Sequence, residues 1–272
     1  MKPTRVCSLL AVLLATDASA ESYVIGVEDL AFTPHYSIDA QGQYQGFARE
    51  LFDLFAAQNG MQLSYKPLSV ERLLPALLQG EVDFKYPDSG NWSLSQKAGK
   101  NLNYSQAVVS YVDGVLVAPQ YQGQPIERLK RLTIVNGWTP RGYQERIDAQ
   151  QIRLAHSDDL RQMIHQALKK QTDGVYFNVV VATHYLDNIR ARPGALVFDP
   201  KLPHTQGSFH LSSLKHPELI QRFDRFLVEQ QAAVDALKSK YRVEANLGSE
   251  FMGMEQWKVD FLKRQKAKAV AN

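Results

Sequence analysis

The chain has 272 residues, 44% of them hydrophobic and 22% charged, with a formal net charge of +3 and a single cysteine. So balanced a charge argues against a nucleic-acid partner. Beyond the N-terminus no apolar run reaches the roughly 18 residues of a membrane span, and the length suits two domains or one large one.

Lys2 and Arg5 precede an apolar run, Val6–Ala15, and Ala18-Ser19-Ala20 follows as a small-x-small cleavage site. Residues 1–20 therefore read as a secretory signal peptide; the run is too short to favour a membrane anchor. Cys7 lies inside the leader and does not directly follow a cleavage site, so lipid attachment is disfavoured. The exported remainder has no cysteine, its stability must come from its core rather than disulfides, and a periplasmic location follows as the expectation.

Tyr23–Val27 reads as a strand leading into the loop Glu28–Tyr36, which brings acid, aromatic and proline together. Phe47–Asn59 reads as a helix with Phe47, Leu51, Leu54 and Phe55 on one face and Gly60 as its stop. Gln62–Pro67 is the next strand, and Val70–Gln79 an amphipathic helix carrying Leu73, Leu74, Leu77 and Leu78, closed by Gly80. Val82–Tyr86 follows as a strand, ending in a loop dense in hydrogen-bonding groups: Lys85, Tyr86, Asp88, Asn91 and Trp92. The order β-α-β-α-β implies a parallel sheet with right-handed crossovers, whose ligands sit beyond the carboxyl ends of the strands.

Ala107–Pro119 is strongly β-forming and long enough to leave one domain and enter another. Leu132–Val135 is a strand, after which Thr139 reads as a helix N-cap with Pro140 at the first helical position. That geometry would offer backbone N–H groups to an anion. Leu160–Asn178 repeats the earlier pattern of helix, aspartate (Asp173), strand and polar loop, about ninety residues on. Val179–Tyr185 is helical, Ala195–Phe198 a strand, and Gly207–Ser213 a second β-forming crossing. Pro217–Tyr241 reads as one long amphipathic helix, and Glu255–Lys268 as a solvated basic helix. Two crossings between a split outer unit and an inserted one make a two-stranded hinge of the kind that closes around ligands. The expected division is 21–113 with 209–272 as lobe 1 and 114–208 as lobe 2.

Several segments in this order resemble the bacterial extracellular solute-binding proteins of family 3, the amino-acid ABC transporter type. They are Gly26…Asp29-Leu-Ala-Phe32-Thr-Pro34, Gln45-Gly46-Phe47-Ala-Arg-Glu-Leu, Leu73–Asp83, Tyr104-Ser105 and Asp173-Gly-Val-Tyr-Phe-Asn178. The resemblance implies an α/β, two-lobed Venus-flytrap fold, type II-like, with a two-strand hinge. It further implies a small polar ligand in the cleft, delivery to a membrane permease or receptor, and a monomer without cofactor or metal. By position, Phe32 matches an aromatic that stacks on the ligand and Asp29 an acidic contact beside it. Trp138 and Thr139 match a carboxylate-binding loop, and Asn178 matches an aspartate that holds an α-ammonium. Asn178 cannot supply that charge. In Ser95–Lys100 the family's carboxylate-gripping arginine is missing: Ala98 lies nearest its place, with only Lys97 and Lys100 close. Both departures point to a ligand that is not a simple α-amino acid.

Each candidate also has a plainer reading. Phe32 can be core, and Trp92 and Trp138 hydrophobic lids. Lys85, in an otherwise apolar strand, needs Asp88, Asp29 or an anionic ligand as partner. Arg141 can face the cleft or the surface, and Asp83 and Asp173 read as turn-closing groups. A dehydratase- or lyase-like enzyme on the same fold would need an acid–base pair such as Glu28 or Asp29 with His35. The seven histidines show no metal-binding spacing, and no nucleophile elbow or phosphate loop occurs. A sensor for a membrane receptor would use the same closure as a transport protein.

Overall fold

The computed structural model describes residues 20–271 apart from 191, 250, 253 and 255; residues 1–19 of the expected leader, Cys7 among them, lie outside these. In the first lobe Ser22–Glu28 is the central strand. It runs parallel to Gln62–Leu68 on one side, paired from Ser22↔Gln62 to Glu28↔Leu68, and to Phe84–Asp88 on the other. The helices Phe47–Gln58 and Val70–Gln79 are the crossovers between these strands. Gly26 is where the second crossover presses closest: a Cβ there would lie 2.9 Å from Leu73 Cδ1 and 3.1 Å from Val82 Cγ2. Gly80 ends that helix in the left-handed conformation, φ 77°, which costs glycine no Cβ clash.

The second lobe repeats the plan. Arg131–Ile134 runs parallel to Arg153–His156 and to Gly174–Asn178, with Leu160–Leu168 as a crossover helix. The two aspartates close corresponding corners. Asp83 accepts from Val24 N at 2.8 Å, and Asp173 from Lys130 N and Arg131 N at 3.0 and 2.8 Å. Both tie the end of a helix–strand turn to the neighbouring strand, as the repeated sequence pattern implies.

Two nine-residue strands join the lobes. Val109–Val117 and Thr205–Ser213 pair antiparallel from Phe209↔Val109 to Thr205↔Asp113. Beyond that stretch they part: His210 and Ser212 pair with Phe84–Asp88 in the first lobe, and Asp113–Leu116 with Gly174–Asn178 in the second. Thr205–Ser213 thus belongs to both sheets and Val109–Val117 ties it to the second, and the chain is a two-lobed α/β Venus flytrap with a two-strand connection.

Four elements depart from expectation. The strand after Gly80 is Phe84–Asp88, two residues later than read, because Asp83 is spent on the turn. Thr139 and Pro140 do not start a helix. The first helix after them is the single turn Gln144–Asp148, because Gly142 takes φ +85° and packs where a Cβ would lie 2.7 Å from Pro203 Cβ. The helix expected over Pro217–Tyr241 is two, Pro217–Glu229 and Gln231–Tyr241, broken at Gln230. The polar Gln230–Gln231 pair falls where a straight helix would need apolar contacts; the break turns Val234 into the core. The C-terminal helix, Gln256–Ala271, is docked rather than solvated all round. Val259 is buried and Lys258 approaches Asp187 at 3.5 Å.

The tightness at Gly26 makes a direct test. Gly26→Ala should lower unfolding stability by about 1–3 kcal/mol through overpacking against Leu73 and Val82, read from the urea midpoint. An unchanged midpoint would mean that helix Val70–Gln79 can retreat freely.

Candidate functional site

The cleft between the lobes holds a cavity of about 430 Å³. Of the residues singled out in the sequence, Phe32, Lys85, Asp88 and Trp92 line it from the first lobe, and Trp138, Thr139 and Arg141 from the second. Phe32 is both wall and core: its ring lies 6.0 Å from Trp138 and 5.5 Å from Phe177, while Trp138 stacks on Phe177 at 5.2 Å. The two Phe32 contacts cross between the lobes, as does the bond from Arg141 Nη2 to Asn91 O at 2.5 Å. Gly137 completes the approach. With φ +76° it leaves room for the Val70–Glu71 turn, where a Cβ would lie 2.9 Å from Glu71 Cγ.

Three expected residues stand outside the cavity. Asp29 is exposed, and its neighbour Glu28 faces inward instead, taking a 2.5 Å hydrogen bond from the Tyr36 hydroxyl. Tyr86 points to the opposite face of its strand from Lys85 and is buried with its ring 5.0 Å from Phe52. Asn178 is buried as a helix cap, its Oδ1 accepting from Val181 N at 3.0 Å. Its amide serves the helix start, a local use that a chain-order reading cannot separate from ligand contact.

Charge collects at two places. In the first lobe Asp88 Oδ1 accepts from Lys97 Nζ at 2.8 Å and is ion-paired with Lys85 Nζ at 3.0 Å, and Ser212 Oγ donates to Asp88 Oδ2 at 2.7 Å. Burial opposes ionisation of Asp88, but the two ammonium groups outweigh it and its carboxyl is held below the usual range. Burial also lowers Lys97, against the pull of Asp88. On the connecting strand, where it passes towards the second lobe, Asp113 lines the cavity with Oδ1 buried and without a hydrogen-bond partner. Burial pushes its carboxyl up to about 7, with Asn178 and Arg141 working the other way. Asp113 escaped the sequence reading because it lies within a strand, yet a lone acid between Val112 and Gly114 in a run of valines was its signal. Tyr111, Tyr176 and Phe209 were missed for the same reason: all lie inside strands and line the cavity.

His35 makes no acid–base pair. It is fully buried beside Phe32 and Phe209, neither ring nitrogen has a hydrogen-bond partner, and burial drives it down to about 3. Among the described residues no group of three or more His, Cys, Asp or Glu could hold a metal ion, and no helix is long and apolar enough to cross a membrane.

The sequence profile of bacterial extracellular solute-binding proteins, family 3, matches residues 23–243. The chain belongs to that family. Solved structures share the fold of this family-3 protein at low identity. The arginine-binding protein of T. maritima (a P235GK mutant) is 17% identical, with a TM-score of 0.65 over 81% of this chain and 95% of its own. The ancestral amino-acid-binding protein AncCDT-1, a precursor of cyclohexadienyl dehydratase, is 18% identical, with a TM-score of 0.64 over 81% and 94%. The VFT2 domain of Bordetella pertussis BvgS (a double mutant) is 17% identical, with a TM-score of 0.62 over 81% and 93%. No curated protein matches the sequence.

The raised Asp113 carboxyl gives a pH test of this solute-binding protein. Between its ordinary value of 3.8 and about 7, the folded state holds the proton that the unfolded state releases. Asp113 therefore weakens the fold progressively as pH rises through that window. Asp113→Asn should raise the melting temperature at pH 8 and leave it nearly unchanged at pH 4. A lower melting temperature at pH 8 would contradict this.

Proposed function

We propose that this protein captures a small polar solute in the cleft between its lobes and delivers it to an ABC transporter permease from the periplasm. The observation that carries the reading is the shared cavity, lined by Phe32, Lys85, Asp88 and Trp92 from one lobe and Trp138, Thr139 and Arg141 from the other. A cavity walled by both lobes couples occupancy to closure, since a solute touching both stabilises the closed arrangement over the open one. The lobes divide at the paired strands, with 21–113 and 209–272 on one side and 114–208 on the other; Val109–Asp113 and Thr205–Phe209 act as the hinge. The 1–20 leader directs export, and the protein works as a monomer.

The solute is not a simple α-amino acid. Asn178 is neutral and engaged in capping a helix, and the segment Leu94–Lys97 carries a lysine already bound to Asp88 in place of an arginine fork. Binding rather than catalysis suits a site in which the buried His35 meets no acid and the charged groups are paired or separated by lobe.

A thermal-shift screen of polar metabolites tests the reading. A solute at a hundredfold its Kd should stabilise the native state by about 2.7 kcal/mol, a rise of several degrees for a chain of this size. A screen without any rise would overturn solute capture. Titration with the twenty amino acids tests the second claim, and micromolar affinity for any of them would reject it.

A further inference from the structure

The buried corner of the cleft holds an uneven set of charges. Lys85 Nζ donates to Pro87 O at 2.6 Å and is ion-paired with Asp88 Oδ1 at 3.0 Å. Lys97 Nζ donates to the same Asp88 oxygen at 2.8 Å and to Ser89 O at 2.7 Å. An ammonium group has three N–H donors, so each lysine keeps at least one. Two positive charges thus share one carboxylate, in side chains 7%, 7% and 0% exposed. Another buried acid of the lobe, Glu28, is hydrogen-bonded to Tyr36 and to neither lysine, burial pushing its carboxyl up against the pull of Lys85, and Asp113 stands on the connecting strand, paired with Thr205 and Asn178. The Trp92 ring, 5.5 Å from Lys85 Nζ, and the Tyr104 ring, 5.2 Å from Lys97 Nζ, offer a quadrupole and not a full counter-charge.

A buried charge without a partner is costly, so this corner favours one added anion. Because both ammonium groups touch one oxygen, they lie no more than about 5.8 Å apart, within reach of the two oxygens of a single group. Lysines are point donors and take those oxygens one each, where an arginine would present a fork. Aromatic rings make up much of the rest: Phe32, Trp92, Tyr111, Trp138, Tyr176 and Phe209 line the cavity of about 430 Å³. Such walls favour a ring, which they can meet by offset or edge-on stacking.

We propose that the solute is a monoanionic ring acid, a cyclic or aromatic carboxylic acid, whose carboxylate bridges Lys85 and Lys97. The assignment rests on the cleft being a solute site. It also explains why two lysines are kept where one would satisfy Asp88.

The test is calorimetric titration of the exported chain with benzoate, cyclohexanecarboxylate, propionate, benzamide and benzylamine. The ring carboxylates should bind at least tenfold tighter than propionate, which lacks the ring, and than benzamide and benzylamine, which lack the negative charge. Lys85→Met and Lys97→Met each leave Asp88 with one lysine and a neutral corner. Both should fold, with melting temperatures within a few degrees of the parent, and should lose at least tenfold in affinity for benzoate. The benzoate–benzamide comparison needs no variant and decides the matter if either substitution prevents folding. Benzamide or benzylamine binding as tightly as benzoate would overturn the anion seat. So would failure of every probe while the metabolite screen finds a solute of another class, and that result leaves solute capture intact. No binding by the probes and no rise in the metabolite screen would overturn both.

Discussion

The structure depends on one short antiparallel pairing, Val109–Asp113 against Thr205–Phe209. Its backbone bonds join the two sheets, and its side chains form part of the cleft wall. Tyr111 stacks on Phe209 at 4.6 Å, Trp92 Nε1 reaches the Tyr111 hydroxyl at 3.3 Å, and Asp113 stands where the strand passes into the second lobe. The same residues therefore hold the lobes together and face the solute cavity. The C-terminal segment backs this pairing from outside. Glu244 Oε1 accepts from Ser110 N at 2.6 Å, and Met252 is buried against Val112 and Val179.

The electrostatics of the cleft follow from burial acting differently on two acids, Asp88 and Asp113. Asp88 is compensated: two lysines, a serine hydroxyl and the Ser89 N–H surround it. Asp113 has an oxygen without a hydrogen-bond partner, and burial outweighs the pull of Asn178 and Arg141 on it. A fold selected for stability alone would remove such a group, and strongly shifted acids of this kind gather at functional sites. The first lobe thus offers an excess of donors and the connecting strand an unsatisfied acceptor, with aromatic rings in the same cavity. This arrangement orients a solute with unlike ends.

Much of the fold was legible in the sequence because short-range periodicity determines element type. The apolar faces of Phe47–Gln58 and Val70–Gln79, the glycine stops, and the alternation of helices with strands all reflect spacings of two to four residues. Many site residues were legible too, since loops beyond the carboxyl ends of parallel strands converge by topology. Phe32, Trp92 and Trp138 lie on such loops. The break at Gln230 and the loss of the Thr139 cap are local failures of the same reasoning: amphipathic continuity and a threonine–proline pair were consistent with helix, but packing against Val234 and Pro203 overrode them.

By itself, then, the sequence determined the two-lobed parallel α/β plan, the crossing strands, the turn-closing roles of Asp83 and Asp173, and the convergence of aromatic and charged loops on one cleft. Only the tertiary structure decided that Glu28 and not Asp29 faces inward, that Tyr86 belongs to the core and Asn178 to a helix cap, and that Lys85 and Lys97 share Asp88. It also placed Asp113 in the cleft. The physical reason is that a side chain's face and partners depend on pairing between segments distant in the chain, such as Asp113 with Thr205 and Asp88 with Ser212. Local spacing carries no information about those distances.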